Sequence, residues 1–345
     1  MAYVGSYSYT GKAKGITVYD VDVEAGKFIY RCEVEVDNSS YLKASQNGQI
    51  LYSIADEGVV AFRVLSNGSL TRLNSANIRG MRGCHLSTSK ADDYIFISGF
   101  HDGKITVLNL NKDGAVGQIA DGVFHKGLGS VAERSFRPHV SCSRLTPDER
   151  FLMVADLGID QIKVYRFDHK DGKITLVDTI RCELESAPKY FMFSSDGRFF
   201  YVLYELKNMI EVYSYKEGER VPIVEKIQTI PSTGSKPNQL TAACAMHLSP
   251  DEKHLFCSNA GDNTVSMYDR DDETGMLTMR FCLPISGDYP KDIAIFPDGK
   301  HLASINHEGS ISFFKIDYEK GLLVMSDRSI KVNEPNCCEI VKIGD

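Results

Sequence analysis

Two lysines of this 345-residue chain stand in matching settings, Ala187-Pro188-Lys189 and Tyr289-Pro290-Lys291. A proline pushes the residue before it into extended backbone, so each lysine belongs at the start of a strand. An ammonium held there can grip a carboxylate or phosphate, or can simply neutralise a neighbouring acid. Glu205, in the phrase LYELKN, stands where an apolar strand runs into its loop. A carboxylate at such a place can serve as general base or acid, particularly if burial raises its pKa; the plainer alternative is a pair with Lys207. His139, in RPHVS, offers an imidazole base, although a histidine at a strand start is often a hydrogen-bonded structural residue. Ser141 follows it, Arg137 precedes it with Arg134 in the same loop, and Asp156 and Asn259 end two further apolar strands.

Bringing these residues together requires a repeating frame. Alternating apolar segments recur as ITVYDV, VVAFRV, ITVLNL, IKVYRF, IEVYSY, VSMYDR and ISFFKI, each preceded by a second apolar strand such as FLMVAD or HLASIN. A turn signal such as SSDG, SPDE or FPDG stands before that strand, a third strand before the turn, and a fourth strand follows downstream. Four short strands in a repeat of roughly 40–50 residues mark a β-propeller blade. Complete blades fall at about 39–78, 83–127, 137–183, 187–232, 242–286 and 289–333. Residues 1–36 carry three more strands and CCEIVKIG near the C-terminus carries one. The expected fold is therefore an all-β, seven-bladed propeller in one domain over 1–345, its closing blade shared by both termini; a six-bladed ring is the alternative.

In such a ring the starts of the innermost strands and the ends of the second strands converge on one mouth of the central channel. Counting back seven residues from the Asp or Asn of each inner turn selects Ser40, Ser141, Lys189, Cys244 and Lys291, with Cys84 or His85 in the irregular second blade. The second strands would add Asp56, His101, Asp156, Glu205, Asn259 and His307. Calcium would need a cluster of oxygen ligands; Glu205, Asn259 and Asp156 form the one weak set, and no metal or cofactor is expected. Glycine-rich FHKGLGS lacks a following helix and reads as a loop between blades rather than a phosphate cradle.

Composition narrows the partners. The formal net charge is −7 with no basic run, which disfavours nucleic acid and anionic bilayers. No apolar stretch approaches the ~18 residues of a membrane helix. Nine cysteines without a C-x-x-C pair suit small apolar side chains in a reducing compartment. A cytoplasmic protein acting on a small anionic molecule is expected.

The segments RPHVSCSRLTPDERFLMVADLGIDQIKVYRF and APKYFMFSSDGRFFYVLYELKNMIEVYSY, with YPKDIAIFPDGKHLASIN, resemble the seven-bladed lactonase family. That family includes propeller-type 6-phosphogluconolactonases and the fungal 3-carboxy-cis,cis-muconate lactonizing enzyme. The resemblance implies a lactone hydrolase of carbohydrate metabolism, with an acidic residue at Glu205. It also implies departures: family arginines correspond to Lys189 and Ala260, and the second histidine of an H-x-H phrase corresponds to Ser141. A muconate-type cyclase and a non-catalytic ligand- or partner-binding propeller are the competing readings.

Overall fold

The structure, a computed structural model, describes residues 1–129, 136–234, 238 and 240–343. Seven four-stranded antiparallel sheets make up the fold, and no helix occurs among the described residues. Six sheets are built from consecutive strands. They run over 42–77, 85–124, 140–181, 188–231, 242–284 and 290–331, each inside the range that the repeat predicts. The seventh has the order Pro335–Ile340, Ala2–Ser6, Gly15–Asp22, Lys27–Glu35, with the C-terminal strand innermost. The six-bladed alternative is thereby excluded.

The burial pattern follows from sheets packed face to face around an axis. The second strands Tyr94–Gly99, Phe151–Asp156, Phe199–Tyr204 and His301–Asn306 are buried along their whole length, because both faces of each meet a neighbouring blade. Outermost strands such as Ile223–Pro231 expose much of their length and bury none of it fully. Cores form between blades rather than within one: Phe151, Met153 and Ala155 pack with Phe191, Phe200 and Tyr204 of the next sheet. Cys337 and Cys338, adjacent on one strand, enter two different inter-blade cores, as the two-residue period of a strand requires.

Ring closure ties the ends of the chain directly. The Met1 ammonium donates to the Val341 carbonyl at 2.9 Å and the Val341 amide donates to the Met1 carbonyl at 2.9 Å. Without the last strand, Ala2–Ser6 would become an open edge in the middle of the molecule, and two cores would lose Cys337, Cys338 and Val341. A chain ended after Glu334 is expected to lose its single cooperative melting transition in calorimetry; a truncated chain that melts like the full one would contradict this closure.

Candidate functional site

One irregularity of register, repeated from blade to blade, builds the mouth of the channel. On the innermost strands, Val140 pairs with Asp156 and Cys142 with Ala155, leaving Ser141 without an opposite residue. The same skip leaves out Lys189 between Pro188 and Tyr190, Cys244 between Ala243 and Ala245, and Lys291 between Pro290 and Asp292. Asn336 is skipped between Pro335 and Cys337. Each is a β-bulge, which bends its strand and re-aims the extra side chain. All five bulge residues line one cavity of about 530 Å³. Proline opens three of these strands, at Pro188, Pro290 and Pro335, a position that costs no ladder hydrogen bond, but the residues before them are not extended as expected: Ala187, Tyr289 and Glu334 have φ of 59°, 62° and 49°.

Side chains from the preceding blade fix where two of the bulged strands begin. Asp160, buried and at φ 51°, accepts hydrogen bonds from the amides of Glu185 and Ala187 at 2.8 Å each, just ahead of Lys189. Asn263, at φ 54°, accepts from the Tyr289 amide at 2.8 Å, ahead of Lys291. Neither residue stands out in the sequence, but both lie the same few residues beyond a second strand, in DLGID and NAGDN.

Lys189 and Glu205 meet in the cavity wall, with Nζ and Oε2 2.6 Å apart. Glu205 is 5% exposed, and its partner is Lys189 rather than Lys207, which pairs with Glu183. Burial works against the Lys189 charge, but Glu205 beside it outweighs that cost and holds the ammonium's pKa above its usual value. His139 is buried with its ring stacked on Phe100 at 4.3 Å between centroids. Its Nδ1 lies 2.7 Å from the Phe100 carbonyl oxygen, which can only accept, so Nδ1 carries a proton and the lone pair of the neutral ring is on Nε2. Gly158 makes room for this arrangement: a Cβ there would stand 1.8 Å from the Arg137 carbonyl oxygen and 2.8 Å from His139 Cδ2.

Ser141, Arg137 and Lys291 also line the cavity. The Ser141 hydroxyl donates to the Pro188 carbonyl at 2.8 Å and so braces the Lys189 strand. Arg137 lies over the Phe136 ring at 5.6 Å and the Lys291 ammonium over the Tyr289 ring at 4.9 Å. Arg134 lies outside the described residues.

Two expected site residues are elsewhere. Asp156 is fully buried and does not reach the cavity; it accepts from the His139 amide at 2.8 Å and the Gly158 amide at 3.1 Å, and meets His125 Nδ1 at 2.7 Å. It positions His139. Asn259, also fully buried, donates to the Ser232 carbonyl at 2.9 Å and braces a neighbouring segment. The cause is a step of one residue. In register, Asp156 and Asn259 match Tyr204, which pairs with the residue just before the bulge; Glu205 lies one position further. On a strand one position is the difference between two faces. Asp156, Asn259 and Glu205 therefore form no common oxygen cluster, and no group of three or more metal-ligating side chains occurs among the described residues. Ser40, Asp56 and His307 also stand outside the cavity lining, whereas Cys84, His85, Cys244 and His101 belong to it.

Sequence reasoning did not single out the aromatic rings. Tyr7, Tyr41, Phe100, Phe136, Tyr190 and Tyr289 supply much of the wall, and Arg82, which pairs with Asp56 at 3.0 Å, adds another cation. His101 is pushed toward its neutral form by partial burial and by Arg82. The cavity thus combines cations, two carboxylates, Glu205 paired with Lys189 and Asp292 2.9 Å from His247 Nε2, and a directed imidazole inside an aromatic wall.

The family model "Lactonase, 7-bladed beta-propeller" matches residues 1–340. A 6-phosphogluconolactonase of Bacillus subtilis (strain 168) is 26% identical, over 99% of this chain and 98% of its own. A solved structure from Bacteroides fragilis NCTC 9343, provisionally assigned as a 6-phosphogluconolactonase, is 30% identical at a TM-score of 0.90, covering 99% and 97% of the two chains. A periplasmic gluconolactonase of Pseudomonas aeruginosa shares the fold at a TM-score of 0.91 and 23% identity, covering 99% of each chain.

Two buried histidines link this region to pH. His85 is held well below the usual histidine range, first by burial and then by Arg144 and Lys43; His125 is lowered by burial despite its Asp156 partner. Both stay neutral in the folded protein at pH values where the unfolded chain, near pKa 6.5, takes up protons. The unfolded state then binds more protons, so stability should fall as pH drops below about 6.5. Chemical denaturation at pH 7 and pH 5 is expected to show that loss, and His85→Gln should show a smaller one.

Proposed function

Since the chain belongs to the seven-bladed β-propeller lactonase family, we propose that it hydrolyses a phosphorylated sugar lactone, in the manner of a 6-phosphogluconolactonase. The observation that carries this reading is the Lys189–Glu205 pair at 2.6 Å, set in the wall of a cavity that also holds His139, Lys291 and Arg137. Glu205, paired with Lys189, takes a proton from a water as the water oxygen forms its bond to the lactone carbonyl carbon. The developing oxyanion is met by the Lys189 ammonium. When the intermediate collapses, the bond from carbonyl carbon to ring oxygen breaks and the ring oxygen receives the proton from Glu205. The product is the open-chain hydroxy acid. In this reading His139 Nε2, its ring fixed by the Nδ1 hydrogen bond to Phe100, orients the water.

Lys291, Arg137 and Arg82 supply the positive rim for the phosphate. Lysine at 189 offers a point charge where the family resemblance implies the planar fork of arginine, which suits an oxyanion that moves during reaction less rigidly than a bidentate clamp would. All nine cysteines are free, which supports placing the reaction in the reducing cytoplasm.

The test is hydrolysis of 6-phosphoglucono-δ-lactone and of glucono-δ-lactone, each corrected for spontaneous opening. Glu205→Gln is expected to lower kcat by ~10²–10⁴-fold, the usual range for a general base. Lys291→Ala should raise KM for the phosphorylated lactone far more than for the plain one. Wild-type rates equal to buffer with both lactones would refute the reading and favour a binding propeller without chemistry.

A further inference from the structure

The cavity wall divides by chemistry as well as by blade. His139, Ser141, Lys189 and Glu205 belong to two neighbouring blades, and the next three sheets around the ring contribute His247, Asp292 and Asn336. These three stand at different depths. Asn336 is itself a bulge residue, Asp292 lies one position beyond the Lys291 bulge, and His247 lies three beyond the Cys244 bulge.

Each of the three has an acceptor to spare. The Asp292 carboxylate can only accept, so His247 Nε2, 2.9 Å from its Oδ1, carries a proton and the lone pair of the neutral ring is on Nδ1. No donor meets that Nδ1 among the described residues. Asp292 Oδ1 also receives the Ile293 amide, whereas Oδ2 receives only the Cys338 amide at 2.9 Å and keeps room for a second donor. Asn336 Nδ2 donates to the Ser40 carbonyl oxygen at 2.6 Å, so the amide oxygen is the atom left over. All three side chains line the cavity, and a third of the His247 side chain is exposed there.

The chemistry of a partner follows by elimination. A phosphate or carboxylate would meet Asp292 with like charge. An ammonium would be opposed by Lys189, Lys291, Arg137 and Arg82 in the same wall. A hydroxyl is a neutral donor that suits a carboxylate, an imidazole nitrogen and an amide oxygen alike. Tyr190, its ring centre 6.3 Å from that of His247, sets an apolar face beside these acceptors, as the carbon skeleton of a polyol would need.

We propose that His247, Asp292 and Asn336 form a polyol subsite, which selects small acids carrying a row of hydroxyls over those without them. The proposal rests on the lactonase reading for the kind of acid that enters the cavity, and it adds the residues that recognise what lies between the reacting carbonyl and the phosphate.

Calorimetric titration of the full chain with two acids tests it: 6-phosphogluconate, and 6-phosphooxyhexanoate, which keeps the chain length and both anionic ends but has no hydroxyl. The wild type should bind the hydroxylated acid about tenfold more tightly or better, because the other acid desolvates the same acceptors without supplying a donor. His247→Phe should bring the two affinities to within about threefold by weakening the hydroxylated acid alone. Asn336→Ala should narrow the gap in the same direction, which keeps the test open if the first variant does not fold. Equal affinities in the wild type, a preference unchanged in both variants, or no binding of either acid overturns the proposal. Lactone hydrolysis is read separately. A protein that opens lactone without preferring the hydroxylated acid keeps its proposed function and loses this subsite; one that has the preference but leaves lactones at the buffer rate keeps the subsite and loses the function.

Discussion

An inserted residue at the start of an innermost strand has no partner on the neighbouring strand, and the ladder can absorb it only by bending. In five blades this bend turns Ser141, Lys189, Cys244, Lys291 or Asn336 toward the channel mouth. Nothing else in the fold would put two lysines from different sheets into one cavity. The two lysine bulges are in turn held by the blade before, through Asp160 and Asn263, whose side chains clasp the amides ahead of each lysine. Sheet packing supplies rigidity, the clasp supplies position, and the bulge supplies direction.

Electrostatics at the mouth follow from that placement. A lysine largely withdrawn from water is costly unless an acid meets it, and Glu205 reaches Lys189 from the end of the adjacent second strand. The pair keeps a carboxylate and an ammonium in contact with the cavity, where a reacting carbonyl would need both a base and a positive partner. His139 is oriented on the opposite side of its ring by Phe100 and on its backbone by Asp156. Further along the inner strand, Arg144 donates to the Phe191 carbonyl and to the Tyr190 hydroxyl.

Much of this frame was legible from spacing. Blade limits followed from repeated strands and turns, and counting back from the inner turns reached Ser141, Lys189, Cys244 and Lys291, because an antiparallel hairpin fixes distance from its own turn. The count did not reveal that these positions are bulges, since a skipped partner leaves no mark in a single strand's sequence. Asp156 and Asn259 were misplaced for the same reason: without the register, the last residue of a second strand and the one after it look equivalent, although only the latter position, occupied by Glu205, faces the cavity. Ser40 met the count but turns its hydroxyl to the Gly83 carbonyl at 3.2 Å. The aromatic wall stayed hidden because Tyr7, Tyr41 and Tyr289 read as ordinary strand-edge residues until the ring brings them together.

The central claim is that bulged lysines and Glu205 form one anion-directed reaction site. It is tested most directly by a crystal structure with 6-phosphogluconate, the hydroxy acid that the proposed reaction would release. The account predicts the sugar acid inside the cavity, its phosphate against Lys291 and Arg137 and its chain running toward Lys189, Glu205 and His139. A ligand bound outside the cavity, or within it but touching neither lysine, would contradict the account.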